Sequence, residues 1–166
     1  MKGIRAVVVL CCIVVSASAQ YPLSKGQSQF NGGLGLSSWG IPVYLGLDYG
    51  IHKDISLGGE LSFRSYRENW NNARYNHAVL GLSANGNYHF NQVLDIPMDW
   101  DLYAGLNLGF YLMSSPDNYN GSSSSGLGLG LQIGGRYYFK DNVGIQLEFG
   151  GGNAFSGGKV GISVKF

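Results

Sequence analysis

Lys159 to Phe166, KVGISVKF, is the stretch whose reading decides the fold. Val160, Ile162, Val164 and Phe166 fall on one face, and Lys159, Gly161, Ser163 and Lys165 on the other. A two-residue period marks a strand with two chemically different faces. Such a strand has two edges of backbone donors and acceptors to satisfy. Closing it onto the first strand of the chain would supply the second partner. An ordinary antiparallel edge strand carries the same pattern, so the segments before it decide.

Working back from the end, Val143 to Gly150 sets Val143, Ile145, Leu147 and Phe149 against Gln146 and Glu148. Gly126 to Phe139 sets Leu127, Leu129, Leu131, Ile133, Tyr137 and Phe139 against Gln132, Arg136 and Tyr138. Trp100 to Tyr111 sets Trp100, Leu102, Ala104, Leu106, Leu108 and Phe110 against Asp101, Tyr103, Asn107 and Tyr111. Ala78 to Phe90, Ile55 to Tyr66, Val43 to Ile51 and Phe30 to Ser37 repeat the alternation, which makes eight segments in all. His52-Lys53-Asp54 and Lys140-Asp141-Asn142 are tight turns, whereas Arg67 to Asn76 (RENWNNARYN) and Ser114 to Ser125 (SSPDNYNGSSSS) are long polar connections. Short turns at one end and long loops at the other are the layout of a transmembrane β-barrel, and an even strand count returns both termini to the short-turn end. The predicted fold is therefore an all-β, eight-stranded, antiparallel up-and-down transmembrane barrel over residues 30–166, preceded by a short polar arm, Gln20 to Gln29.

The aromatic residues supply an independent check. On the apolar face, Tyr49, Tyr88, Phe90, Trp100, Tyr137, Phe139 and Phe166 gather at the short-turn end. Phe63, Phe110 and Phe149 gather near the other, with Leu, Ile, Val and Ala between. Two aromatic girdles around an apolar band suit a membrane. The alternative is a soluble lipocalin-like barrel with its apolar face turned inward around a ligand. It would expose Glu60, Arg64, Arg136 and Glu148, and has no reason to sort its aromatics.

Composition excludes other classes. Charged residues are 13% of the chain against an ordinary 45% hydrophobic, with 27 glycines and 4 prolines but no Gly-X-Y period. Eleven tyrosines and eight phenylalanines argue against disorder. Lys2 and Arg5, the apolar run Ala6 to Val15 and the small residues Ala17-Ser18-Ala19 read as a secretory signal peptide over residues 1–19, removed before Gln20. Cys11 and Cys12 both lie in it, so the mature chain has no thiol chemistry. Without Lys2 and Arg5 the chain keeps 9 basic against 10 acidic residues, a formal charge of −1 that gives no electrostatic case for nucleic acid.

At this point a resemblance becomes visible. The whole stretch after residue 19 resembles the small eight-stranded outer-membrane barrels, the OmpA transmembrane domain and OmpX group. It is similar in style to the outer-membrane β-barrel domain proteins of Bacteroidetes, where an A-x-A site before Gln and a last strand like GISVKF recur. The resemblance implies an outer-membrane location, contact with lipid and lipopolysaccharide, and recognition of the last strand, here Val164 and Phe166, by the barrel-assembly machinery. The sequence departs from OmpA in having no peptidoglycan-binding domain after the barrel, so anchoring through such a domain does not carry over.

The inward face carries Asp48, Glu60, Arg64, Asp101, Arg136, Glu148, Lys159 and Lys165. Charges inside a narrow barrel must pair. A hairpin of the last two strands places Glu148 opposite Lys159, with Glu60 and Arg64 in the same upper layer and Asp48, Asp101, Arg136 and Lys165 below. The predicted outcome is a salt-bridged polar core; a charged constriction in a narrow channel is the functional alternative. Inward glycines such as Gly46, Gly105 and Gly134 leave space that either seats Tyr44, Tyr103, Tyr111 and Tyr138 or holds water. Catalysis finds little support: none of His52, His77 and His89 has an evident Ser and carboxylate beside it, and no metal or cofactor spacing is present. In the long connection after the third strand, Arg67, Trp70, Arg74 and Tyr75 mix cations and aromatics, a composition suited to surface contacts. The expected role is structural or surface-interacting; a lipid A-modifying enzyme is the most distant alternative.

Overall fold

The computed structural model describes residues 23–37, 40–70, 73–116, 125–152 and 157–166; the signal segment and the first residues of the arm lie outside them. Eight strands follow one another: β1 Ser28–Leu36, β2 Val43–His52, β3 Ile55–Trp70, β4 Ala73–His89, β5 Trp100–Ser114, β6 Gly126–Lys140, β7 Val143–Gly152 and β8 Gly157–Lys165. Each pairs antiparallel with its neighbours, and β8 closes onto β1 from Gln29↔Lys165 to Leu36↔Gly158. The backbone of Phe166 continues the seam, exchanging hydrogen bonds with Ser28 (2.9 and 3.1 Å). Closure removes both edges of the last strand, as its sequence required.

The two faces sort as the alternation predicts. In β2 the burial pattern strictly alternates from Val43 to Gly50. Leu45, Leu57, Leu82, Leu108, Leu131 and Ile162 are all exposed on the outside, and the interior is polar. An outside built of exposed leucine, isoleucine and valine is stable only in contact with lipid. Among the described residues no helix is long and apolar enough to cross a membrane; the strands do the crossing.

Beyond shifts of one to three residues at the ends of β5 to β8, three features differ from the sequence reading. The connection expected over Arg67 to Asn76 is a continuation of the β3–β4 hairpin, whose register runs unbroken from Ile55↔Tyr88 through Arg67↔Asn76 to Trp70↔Ala73. The ladder outlives the apolar alternation because backbone pairing needs no lipid-facing side chain. Beyond Phe63 the outer face turns polar at Ser65, Arg67 and Asn69, so the hairpin stands clear of the belt by roughly 20 Å at ~3.3 Å per residue. Second, Ser28 and Gln29, expected in the arm, belong to β1, and the Gln29 side chain is buried in the lumen. Third, the arm is not simply a solvated tail. Leu23 is buried, and Gly26 N–H donates to Gly50 O (2.8 Å) while Gly50 N–H donates to Gln27 O (3.0 Å). The backbone of Leu23 and Ser24 lies so close over Gly50 that a Cβ there would sit 2.3 Å from Ser24 O. Residues 23–27 thus form a strap across the lumen side of β2 at the turn end.

Candidate functional site: the polar lumen

The floor of the lumen is Arg136, 1% exposed. It stands opposite Asp101 in the β5–β6 register, and its Nη1 donates to Asp101 Oδ2 (2.9 Å). Its Nη2 reaches across the barrel to Asp48 Oδ2 on β2 (2.8 Å), and its guanidinium lies 4.2 Å from the centre of the Tyr103 ring. Asp48 also accepts from Asn31 Nδ2 (2.9 Å) and Asn85 Nδ2 (3.0 Å). Two buried carboxylates around one guanidinium, each with further donors, meet the condition under which buried charge is tolerated.

Above the floor, Tyr103 Oη donates to Glu148 Oε2 (2.8 Å) and accepts from Gln146 Nε2 (2.8 Å). Higher still, Lys159 bridges Glu148 Oε1 (2.6 Å), its direct partner in the β7–β8 register, and Glu60 Oε2 (2.7 Å) on the opposite wall. Lys159 Nζ also lies 5.0 Å from the centre of the Tyr44 ring. This bridge is the common wall of two small cavities. One, of about 40 Å³, lies between bridge and floor; the other, of about 70 Å³, opens toward Ser37, Ser62 and Arg64. At roughly 10–15 Å³ per water by this measure, each has room for a few waters.

The inward glycines seat the tyrosines. A Cβ at Gly134 would lie 2.4 Å from the Tyr103 ring, and one at Gly161 would lie 2.4 Å from Tyr44 Oη. Tyr44, Tyr103 and Tyr138 are buried across the lumen, whereas Tyr111 near the loop end is only half-buried. At Gly58, Gly105 and Gly130 the nearest side chain is instead that of Asp48, Asn87 or Asn107.

Two of the predicted charges also have partners that are not carboxylates. Arg64 Nη1 donates to Ser37 Oγ (3.3 Å), above the Glu60–Lys159–Glu148 layer. Lys165 lies with Nζ 3.8 Å from the centre of the Tyr138 ring and, among the described residues, makes no ion pair with a carboxylate. Alternation assigns a charge to the interior but not to a partner.

The expectation that no histidine has a serine and a carboxylate beside it is overturned at His89. Its Nδ1 lies 2.7 Å from Asp101 Oδ1, and its Nε2 lies 3.0 Å from Ser56 Oγ. Since Asp101 only accepts, Nδ1 carries the proton, and in the neutral ring Nε2 accepts from Ser56. Sequence reasoning missed this because Ser56, His89 and Asp101 come from three strands whose register at the turn end was not yet known. All three are buried, neither cavity is lined by Ser56, and the strap crosses Gly50, its register partner on β2. The arrangement is a relay that orients the floor rather than an accessible nucleophile. A fluorophosphonate probe is expected to leave the folded protein unlabelled, while Ser56→Ala costs about 1–3 kcal/mol by stranding His89 Nε2. Labelling that disappears in Ser56→Ala would make Ser56 a nucleophile.

With closure, register and lumen described, comparison with solved structures decides the fold. Outer membrane protein OprG from Pseudomonas aeruginosa superposes with a TM-score of 0.63 at 12% identity, covering 89% of this chain and 99% of that one. The chain has the fold of the small eight-stranded outer-membrane barrels. The N-terminal β-barrel domain of Pseudomonas aeruginosa OprF matches at 0.57 and 16%, covering 86% and 98%. Neisserial surface protein A matches at 0.57 and 19%, covering 84% and 95%. No protein-family model matches the chain, and neither does any curated protein.

On the barrel, the predicted surface contacts lie in the tall β3–β4 hairpin rather than in a loop. Arg67 is exposed and stands opposite Asn76; Tyr75 is half-buried and stands opposite Glu68. Trp70 and Arg74 take register positions opposite Ala73 and Asn69, and their side chains lie outside the described residues. At the other end of the barrel Val164 pairs with Phe30 and Val143, and Phe166 is exposed on the outer face. Among the described residues no three His, Cys, Asp or Glu side chains are grouped to hold a metal ion.

Proposed function

We propose that this is an outer-membrane barrel whose lumen is closed by its own ion pairs, with a structural role or a contact role exercised through the loop end. The observation that carries the reading is the pairing of charge in the two layers that cross the lumen. Arg136 is held by two aspartates and Lys159 by two glutamates, so neither cation is left to draw a solute inward. In this reading residues 1–19 direct export, the short-turn end faces the periplasm, and the strand ending in Val164 and Phe166 is the assembly machinery's recognition element. The β3–β4 hairpin, with Arg67, Trp70, Arg74 and Tyr75, stands among lipopolysaccharide headgroups, where it meets lipid phosphate or a surface partner. No catalytic activity belongs to the reading.

Single-channel recording of the barrel purified from membranes tests it. A folded barrel is expected to be electrically silent in a planar bilayer. The two cavities on either side of Lys159 favour the second reading, a narrow channel for small solutes or ions. Reproducible steps altered by Glu60→Gln or Arg136→Gln would establish that channel and overturn the closed lumen.

A further inference from the structure

The connections at the turn end are unequal. His52 is followed by β3 after two residues and Lys140 by β7 after two, but ten residues, Phe90 to Asp99, join β4 to β5. This segment is not a loose excursion. Leu94 N–H donates to Phe90 O (3.0 Å), Ile96 N–H to Asn91 O (3.0 Å) and Trp100 N–H to Pro97 O (2.9 Å). The Asn91 side chain, itself buried, ties the two limbs together by donating to Trp100 O (2.5 Å) and accepting from Leu102 N–H (3.3 Å). Lys53 on the neighbouring turn is bonded to Gln92.

Beside exposed Gln92, Asp95 and Asp99, this braced segment presents three large apolar side chains. Val93 is 65% exposed, Leu94 60% and Met98 58%, values equal to those of the leucines in the lipid-facing belt. A turn reaching into water has no reason to hold three large apolar side chains outward on a framework braced by its own hydrogen bonds. The segment springs from the aromatic girdle on both limbs. Tyr88 and Phe90 meet edge-on at 5.2 Å before it, and Trp100 packs on Tyr137 at 4.8 Å after it. Its apolar surface therefore continues the surface that lipid already covers.

We propose that Val93, Leu94 and Met98 form an apolar foot embedded in the headgroup and upper acyl region of the leaflet at the turn end. The connection then acts as a lipid contact that sets the depth of the barrel. The inference rests on the transmembrane reading and adds a partner, phospholipid, to a segment that reading leaves unassigned. Apolar side chains held at such a boundary bind through the area they bury, without a specific pocket.

Cysteine labelling tests it, because Cys11 and Cys12 are the chain's two cysteines and residues 20–166 carry none. Leu94→Cys, Asp141→Cys in the other turn and Leu131→Cys in the belt are each labelled with bimane. The purified barrels are placed in phosphatidylethanolamine–phosphatidylglycerol vesicles carrying either lipid brominated near the glycerol, which reports on positions 94 and 141, or lipid brominated deep in the acyl chain, which reports on position 131. Position 94 is expected to be shielded from aqueous iodide and quenched by bromolipid at least about threefold more than position 141. Iodide access at 94 equal to that at 141, with 131 still lipid-quenched, overturns the foot and leaves the barrel reading intact. Shielding at 94 without bromolipid quenching means protein covers it, which also overturns the proposal. A belt position that bromolipid fails to quench overturns the transmembrane reading itself.

Discussion

Arg136→Gln is expected to be the most damaging single substitution in the lumen, lowering stability by about 3–5 kcal/mol. The arginine is bonded to both Asp48 and Asp101, at 2.8 and 2.9 Å. Glutamine is shorter and neutral, and it leaves two buried carboxylates facing one another with only amide and imidazole donors. Small domains are stable by about 5–15 kcal/mol, so the loss is a large share of the total. The measurement is the urea midpoint of the refolded barrel, together with the mobility of unboiled protein on a gel. The triple variant Asp48→Asn, Asp101→Asn and Arg136→Met removes the whole cluster and should recover most of the loss. The reason is that the cost comes from the stranded charge and not from the absence of the pair. A single variant as stable as the parent would show that the floor contributes little to the barrel.

The second large effect lies on the opposite face. Leu131 is 66% exposed, pairs with Leu106 on β5 and lies near the centre of the span from Leu127 to Tyr137 in β6. At the bilayer midplane Leu131→Arg is expected to cost about 2–4 kcal/mol, whereas the same change at Ser65, above the belt, should cost about 0–1 kcal/mol. In a water-soluble barrel both positions would be surface sites where substitution changes stability by no more than about 0.5 kcal/mol. Folding titrations in lipid vesicles separate the cases. Equal, small effects at the two positions would remove the support that the apolar outer face gives to a membrane location.

Much of the fold was legible because alternation is a local property. Once Leu, Ile, Val and aromatic residues alternate with Asp, Gln, Tyr and Gly over eight segments, the inward and outward sets are decided strand by strand. The Glu148–Lys159 pair was legible for the same reason: a hairpin counts residues symmetrically about its turn, and these two stand opposite one another in the register. Polar pairing beyond the belt was not legible. Arg67 to Asn76 reads as a loop because nothing lipid-facing alternates there, yet the backbone ladder carries on to Trp70↔Ala73.

By itself, then, the sequence determined which side chains face lipid, which face the lumen, and that the last strand needs a partner in the first. Those follow from a two-residue period and the chemistry of an edge. The tertiary structure decided which inward charges meet. Arg136 binds Asp48 across the barrel, Lys159 takes Glu60 as well as Glu148, Arg64 turns to Ser37, and His89 joins Ser56 to Asp101. Strand tilt and closure set the height at which each residue enters a shared lumen, and that height is a property of all eight strands together.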